Sequence, residues 1–180
     1  RKGTGGGRSL ILNGHIDVVS AEPVSAWSHD PYAAEIVGNR MYGRGAYDMK
    51  SGVGINLFVV RLLNDLGIKL QGDLKVHSVI EEECTGNGAL VAAATDPADA
   101  CLIPESTNGT MVAAHPGVIW FRVKITGRSA HAGSAWLGVN AIVKSVPVIN
   151  ALAKLNDDLN LQLHPLWEGQ KHPINLNIGT

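Results

Sequence analysis

The sequence predicts an α/β fold, a layered sheet covered by helices, followed by a second unit of α+β type. Between residues 9 and 103, short apolar runs alternate with segments of helical periodicity, and such alternation is typical of a sheet packed against helices. Polar residues cluster directly after the apolar runs. Ligands of such sheets bind beyond the carboxyl ends of the strands, so we expect the chemistry of this protein in those clusters.

The composition fits a folded protein that binds neither nucleic acid nor a membrane. The chain has 180 residues, 45% of them hydrophobic, enough for one large domain or one domain and part of another. A net charge of −1 gives no sign of the basic surface that nucleic-acid-binding proteins carry. No apolar run approaches the roughly 20 residues of a membrane-spanning helix. Cys84 and Cys101 form neither a disulfide framework nor a CxxC metal site, so we expect a cytoplasmic protein.

The first elements follow from apolar runs and turn residues. Residues 9–13 (SLILN) predict a buried strand. Residues 34–43 predict a strand or hairpin that turns at Gly38-Asn39. Residues 49–66 carry apolar side chains at steps of three and four, which predicts a helix that ends at Gly67.

Three further elements complete the predicted sheet. Residues 73–80 (DLKVHSVI) alternate between apolar and polar side chains, which predicts a strand. Residues 87–94 predict a short helix, and residues 100–103 predict an apolar strand that ends at Pro104.

The character of the chain changes after about residue 115. Residues 118–126 (VIWFRVKIT) and 174–178 (INLNI) alternate like strands of an antiparallel sheet. Between them, residues 139–155 predict a helix with Asn140 as its N-cap and Pro147 as a kink or break. We therefore predict one domain over residues 1–115 and a second, incomplete domain over residues 116–180.

Two clusters combine glycine with acidic side chains. In the first, His15 and Asp17 lie on one face of an extended segment, where a carboxylate can fix the tautomer of a metal-bound histidine. A structural histidine is the alternative. In the second, Asp48 stands just before a helix, where it acts either as an N-cap or as a carboxylate bridging two cations.

Two more clusters are acidic. Glu81, Glu82 and Glu83 follow an apolar strand, and Glu105 follows another. A solvated charge run is the simplest interpretation of the three adjacent acids, but a nearby cation would remove their repulsion. Mixed nitrogen and oxygen ligands suit zinc, with cobalt or manganese as substitutes. Two metal ions sharing a carboxylate would activate a water.

The motifs GHIDVV, GRGAYDMKSG, a glutamate pair after an apolar strand, PEST and GRSAHAG occur in this order. Together they resemble the family of two-zinc peptidases and deacylases that includes carboxypeptidase G, aminoacylase, acetylornithine deacetylase and succinyl-diaminopimelate desuccinylase. The resemblance covers nearly the whole chain. It implies a zinc-exopeptidase-type catalytic domain with a mixed sheet over residues 1–115, and an α+β, ferredoxin-like lid and dimerisation domain over residues 116–180.

The resemblance also implies a set of metal ligands for two zinc ions per subunit. His15 and Glu105 are similar to the terminal ligands of one ion, and Asp48 to the bridging carboxylate. Glu83 is similar to a ligand of the second ion. A further histidine ligand of that ion would lie beyond Thr180, so we expect the chain as given to be part of a longer enzyme or a fragment with impaired activity.

The catalytic residues implied by the resemblance are Glu82, Asp17 and His131. Glu82 is similar to the general base that activates water, and Asp17 to the acid that orients the histidine ligand. His131 is similar to a lid histidine that reaches the active site of the partner subunit in a homodimer. Glu81 stands where the family usually has an aspartate, and a register with Glu81 as the base remains an alternative.

The substrate implied by the resemblance is a small N-acyl amino acid or a peptide-like amide. The segments EEECTGNGA, WFRVKI and HPINLNIGT are similar to the acetylornithine deacetylase-like branch, which includes a formylaminopyrimidine deformylase. A dipeptidase or carboxypeptidase of the same family is an alternative. Two alternatives are not enzymes: a catalytically inactive dimeric relative, and a plain α/β binding domain whose acids are surface charges and which binds no zinc.

Overall fold

The computed structural model describes residues 1–112 and 117–179, and it divides into two compact units after Val112. The division lies close to the predicted boundary after residue 115, while the roles assigned to the two units remain predictions. No helix in the described part of the chain is both long and apolar enough to cross a lipid bilayer.

The first unit is built on a parallel sheet. Its elements, in chain order, are β1 (Leu10–His15), β2 (Glu35–Val37), β3 (Arg40–Tyr42), α1 (Ser51–Asp65), β4 (Leu74–Val79), α2 (Asn87–Thr95) and β5 (Ala100–Leu102). The strand order is β4-β1-β5, with both pairings parallel. Central strand β1 buries the adjacent residues Ile11 and Leu12, one on each face. These strands and helices confirm the predicted α/β class.

A separate antiparallel pair, β2 with β3, forms the predicted hairpin. Its turn contains Gly38 at φ 65°, a left-handed conformation that glycine adopts without steric penalty. Cys84 and Cys101 are both free thiols.

Helix α1 begins later than predicted. Residues Ala46–Lys50 form a π-helical turn in which Asp48 (φ −117°, ψ 103°) and Met49 (φ −128°, ψ 38°) are not helical. The regular helix therefore starts at Ser51, and the irregular turn carries Asp48. At the other end, Gly67 is left-handed (φ 63°) and its N–H donates to the Asn64 carbonyl, which confirms the predicted C-terminal glycine.

Small residues let the start of α1 approach the ends of the strands. A Cβ on Gly14, in β1, would lie 3.0 Å from the side chains of both Met49 and Val53. A Cβ on Gly52 would collide with the carbonyl oxygen of Pro104, just after β5. At Gly52 there is no room for a larger residue, and at Gly14 one would force the Met49 and Val53 side chains to shift. This close packing holds the turn around Asp48 against the segment that carries Glu105.

In the second unit, helix α3 spans Ala141–Asn160. The side chain of Asn140 accepts hydrogen bonds from the N–H groups of Ile142 (2.9 Å) and Val143 (3.1 Å), which confirms the predicted N-cap. The helix runs through Pro147 as one element, so of the predicted kink or break, the break is absent.

The two strands predicted for the second unit are wrong. Residues 118–126 and 174–178 form no strand, and among the described residues of this unit the sole β-contact is the isolated bridge between Arg128 and Val139. An alternating segment becomes a strand only when a neighbour supplies its hydrogen bonds. The second segment instead bonds to amide side chains: Asn156 Oδ1 accepts the Leu176 N–H at 2.8 Å. The predicted α+β character of this unit is therefore not shown.

The glycines of α1 provide a matched test of this packing. We expect Gly52→Ala to destabilise the protein by about 1–3 kcal/mol, because the new methyl group collides with the Pro104 backbone. Gly54→Ala is the control, since outside its own helix backbone no heavy atom of the described residues lies within 4 Å of the position that a Cβ would take there. This substitution should stabilise the protein by about 0.5–1 kcal/mol. Urea denaturation measures both changes. Equal effects of the two substitutions would contradict the proposed contact.

Candidate metal centre

The carboxyl ends of the parallel strands bring the acidic clusters to one edge of the sheet. His15 is the last residue of β1, and the three glutamates begin two residues after the end of β4. Glu105 follows β5, and Asp48 lies in the irregular turn before α1. The topology thus gathers, in one place, side chains that are far apart in the sequence.

His15 is the centre of the cluster and is buried, with 1% of its side chain exposed. Its Nε2 lies 3.0 Å from Asp48 Oδ1, 3.6 Å from Glu105 Oε1 and 3.9 Å from Glu82 Oε2. Its Nδ1 lies 3.0 Å from the main-chain oxygen of Asp17. Because a carbonyl oxygen can only accept, Nδ1 carries a proton and donates it. In neutral His15 the lone pair is therefore on Nε2, facing the carboxylates.

The atoms around Nε2 fit a bound cation. His15, Asp48 and Glu105 each offer one ligand atom, and these atoms all lie within 4.8 Å of one another. A lone pair that faces several anionic oxygens is repulsive unless a proton or a metal ion lies between them. One imidazole nitrogen with carboxylate oxygens is a donor set that divalent transition metals accept.

The pKa values of His15 and Glu105 reflect this crowding of negative charge. Burial acts to lower the pKa of His15, but the hydrogen bond to Asp48, the contact with the Asp17 carbonyl and the nearby glutamates outweigh it and raise the pKa. Burial raises the pKa of Glu105, and the charge of Asp48 raises it further. Both shifts show that the cluster favours added positive charge.

Asp17 contacts more of the site than the prediction assigned to it. Its carboxylate lies 3.4 Å from His15 Nδ1, farther than its own main-chain oxygen. The same carboxylate accepts the backbone N–H groups of Glu82 (3.3 Å) and Glu83 (3.1 Å). Burial acts to raise the pKa of Asp17, yet these two hydrogen bonds, together with its own backbone N–H and the nearby His15, outweigh it and lower the pKa. Asp17 thus connects the histidine to the turn that carries the glutamates.

The three adjacent glutamates have different surroundings. The Glu82 side chain is 50% exposed and approaches His15 Nε2. Glu83 lies outside the three-residue group that could share one ion, and it is linked to the centre through its backbone N–H, which donates to Asp17. The carboxylate of Glu81 is bonded to Thr85 and Asn87. This arrangement favours the register in which Glu82, rather than Glu81, approaches the centre.

His131 belongs to the second unit, where it precedes a short 3-10 helix, Ala132–Leu137. Its Nδ1 accepts the backbone N–H of Gly133 at 3.0 Å. The predicted lid role of His131 stays a prediction.

Sequence reasoning missed the roles of Thr85 and Asn87, although two polar residues flanking a glycine at a helix start are a typical signal for local side-chain hydrogen bonds.

The sequence also matches a known family over most of its length. The family model described as "Peptidase family M20/M25/M40" matches residues 11–175. The chain belongs to this family. The match includes every residue of the candidate centre, and the metallopeptidases of the family depend on metal ions, in agreement with the ligand group around His15.

Two curated relatives are named for the reactions that they catalyse. The chain is 35% identical over 157 residues to an N-formyl-4-amino-5-aminomethyl-2-methylpyrimidine deformylase of Bacillus subtilis, covering 82% of this chain and 37% of that protein. It is 34% identical over 166 residues to an acetylornithine deacetylase of Edwardsiella ictaluri, covering 91% of this chain and 42% of that protein. Both names describe hydrolases that act on amide bonds.

A solved structure is similar as well. The M20 family metallo-carboxypeptidase Sso-CP2 from Sulfolobus solfataricus shares 27% identity with a TM-score of 0.45, over 53% of this chain and 23% of that one. The chain spans less than half the length of each of the three proteins named here.

Metal content tests the candidate centre. In the full-length protein we expect His15→Ala to weaken binding of a divalent ion by more than about 100-fold, since even residues that only orient a ligand contribute about 10- to 100-fold. His29→Ala is the control, because His29 also pairs with a carboxylate, Glu35, at 2.9 Å but outside the centre. Elemental analysis after dialysis measures both. Unchanged metal content in His15→Ala would contradict the assignment.

Proposed function

We propose that the full-length protein is a metal-dependent hydrolase that cleaves the amide bond of a small N-acyl substrate, with Glu82 as the general base. The observation that carries this proposal is the position of Glu82. Its carboxylate is half exposed and lies 3.9 Å from His15 Nε2, beside the ligand group but not one of its three members. A carboxylate placed there can exchange a proton with a water without giving up a metal ligand.

We assign the ligands as the resemblance implies. His15, Asp48 and Glu105 would hold one ion, and Asp48 and Glu83 would hold a second. We propose zinc as the metal, with cobalt or manganese as substitutes, because the donors combine imidazole nitrogen with carboxylate oxygen. When bound, the metal pair lowers the pKa of a water and polarises the substrate carbonyl.

Glu82 carries the proton through the reaction. Its carboxylate accepts a proton from the water as the water oxygen forms a bond to the amide carbon. The carbon–nitrogen bond then breaks, and Glu82 returns the proton to the leaving nitrogen, so that the products are a carboxylate and an amine. The exposure of the Glu82 side chain leaves room for a substrate to approach.

We favour an acetylornithine deacetylase-like deacylase, whose substrates are N-acetyl amino acids. Acetylornithine deacetylases match 91% of this chain or more at 31–36% identity in several species. The second candidate is a formylaminopyrimidine deformylase, favoured by the 35% identity to the Bacillus subtilis protein. A panel of N-acetyl amino acids and an N-formyl aminopyrimidine separates the two, because the true substrate class should have the highest kcat/KM.

We also propose that the enzyme is a cytoplasmic homodimer formed through the second unit. In this arrangement His131 of the partner subunit stabilises the oxyanion that develops on the amide oxygen. The support is the GRSAHAG motif and its resemblance to the family lid.

Glu82→Gln tests the general base. We expect kcat on the best substrate of the panel to fall by about 100- to 10,000-fold, because the amide cannot accept the proton, while metal content stays the same. Glu35→Gln is the control, since Glu35 is also a half-exposed glutamate paired with a histidine, away from the centre. Retained turnover in Glu82→Gln would overturn the role, as would the loss of both metal and activity.

His131→Ala tests the lid histidine. We expect kcat to fall by about 100- to 1000-fold, the usual effect of removing one oxyanion donor, with metal content unchanged. His164→Ala is a close control: His164 also precedes a 3-10 helix and its Nδ1 accepts a backbone N–H, that of Leu166, at 3.2 Å. Equal losses of activity in both variants would indicate a structural effect and contradict the proposed role.

A further inference from the structure

The turn after β4 contains a conformation that the mechanism does not explain. Glu81 has φ 62°, in the left-handed region that side chains other than glycine, asparagine and aspartate seldom adopt. Such a residue keeps this conformation only when its surroundings hold it there. The next residue in the chain is Glu82, so whatever fixes Glu81 also sets the direction of the proposed base.

Two sets of hydrogen bonds hold Glu81. Its carboxylate oxygen Oε2 accepts the Thr85 hydroxyl at 2.7 Å and the Asn87 side-chain amide at 3.3 Å. Its carbonyl oxygen accepts the N–H of Thr85 at 3.0 Å and that of Gly86 at 2.6 Å. We call Glu81, Thr85 and Asn87 the bracket, because they close the turn from both its side-chain and its main-chain sides.

The bracket is anchored on helix α2. Asn87 is the first residue of this helix, so the Glu81 carboxylate lies at the helix N-terminus, where negative charge is stabilised. The helix itself rests on the end of β4, since a Cβ on Gly88 would collide with the carbonyl oxygen of Ile80. Strand end and helix start are therefore in direct contact, and the bracket spans the residues between them.

The other side of the turn is fixed by Asp17. The backbone N–H groups of Glu82 and Glu83 both donate to the Asp17 carboxylate, and the main-chain oxygen of Asp17 accepts from His15. The backbone at Glu82 is thus held between the bracket and the histidine of the candidate centre. The side chain of Glu82 can still rotate, while its backbone is fixed.

We propose that Glu81 is a positioning residue, which with Thr85 and Asn87 fixes the backbone of the turn and so aims Glu82 at the reacting water. This inference rests on the proposed function of Glu82. In this role Glu81 is neither the base nor a metal ligand: its Oε2 is bonded to Thr85 and Asn87, and it lies outside the ligand group around His15. A base displaced by about 1 Å can lower the rate by about 100-fold without changing substrate binding.

The test uses the metal-loaded full-length enzyme with Glu81→Ala and Thr85→Val. Both should lower kcat by about 10- to 100-fold, with KM and metal content unchanged. Glu81→Gln should restore most of the lost kcat, since both side-chain hydrogen bonds reach a single oxygen that a glutamine carbonyl can replace. Thr95→Val is the control, because it removes a hydroxyl of the same helix that bonds to the Val91 carbonyl, away from the bracket.

Hydrogen exchange separates this inference from the proposed function. In Glu81→Ala, the amides of Glu82 and Glu83 should exchange at least tenfold faster than in the wild type and in Thr95→Val. If the wild type hydrolyses no amide, the proposed function fails, and the exchange rates alone decide whether the bracket holds the turn.

Three outcomes would overturn the inference. The first is an unchanged kcat in both Glu81→Ala and Thr85→Val, and the second is unchanged exchange at Glu82 and Glu83. The third is a Glu81→Gln variant as inactive as Glu82→Gln, which would make Glu81 the base. Should Glu81→Ala fail to fold, Thr85→Val and Glu81→Gln decide by the same measurements.

Discussion

The candidate centre depends on the parallel alignment of three strands. Because β4, β1 and β5 run in the same direction, their carboxyl ends meet at one edge, and the side chains that follow them are brought together. At that edge His15 is buried among several carboxylates. Unbalanced negative charge in a partly buried site is unfavourable, so the arrangement is explained most simply by a cation that belongs there.

Packing around small residues sets the geometry of this edge. Gly14 and Gly52 leave space for Met49 and for the Pro104 backbone, and this space allows the start of α1 to come close to the strand ends. The π-helical turn before α1 then presents Asp48 toward His15 at 3.0 Å.

The sequence predicted the first unit better than the second for a physical reason. Residues 9–13 and 100–103 are apolar runs and residues 73–80 alternate, and these patterns lie between helical segments, so they can be recognised without knowledge of the partner strands. The candidate ligands stand at or just after the ends of these strands. The strands predicted at 118–126 and 174–178 depend on a neighbouring strand, which no local pattern reveals. The bracket around Glu81 was also missed, since the left-handed backbone of a glutamate arises from contacts and not from its own preference.

The ligands of the candidate centre have a consequence for folding. His15 and Asp48 are separated by 33 residues, and Glu105 lies still farther along the chain, so the three meet only after the long-range pairing of β1 with β4 and β5. An ion bound by all three would close two large chain loops at once, and it would bind the folded chain far better than the unfolded one. Metal supply during synthesis would then govern how much of this protein survives proteolysis, independently of any role of the ion in turnover.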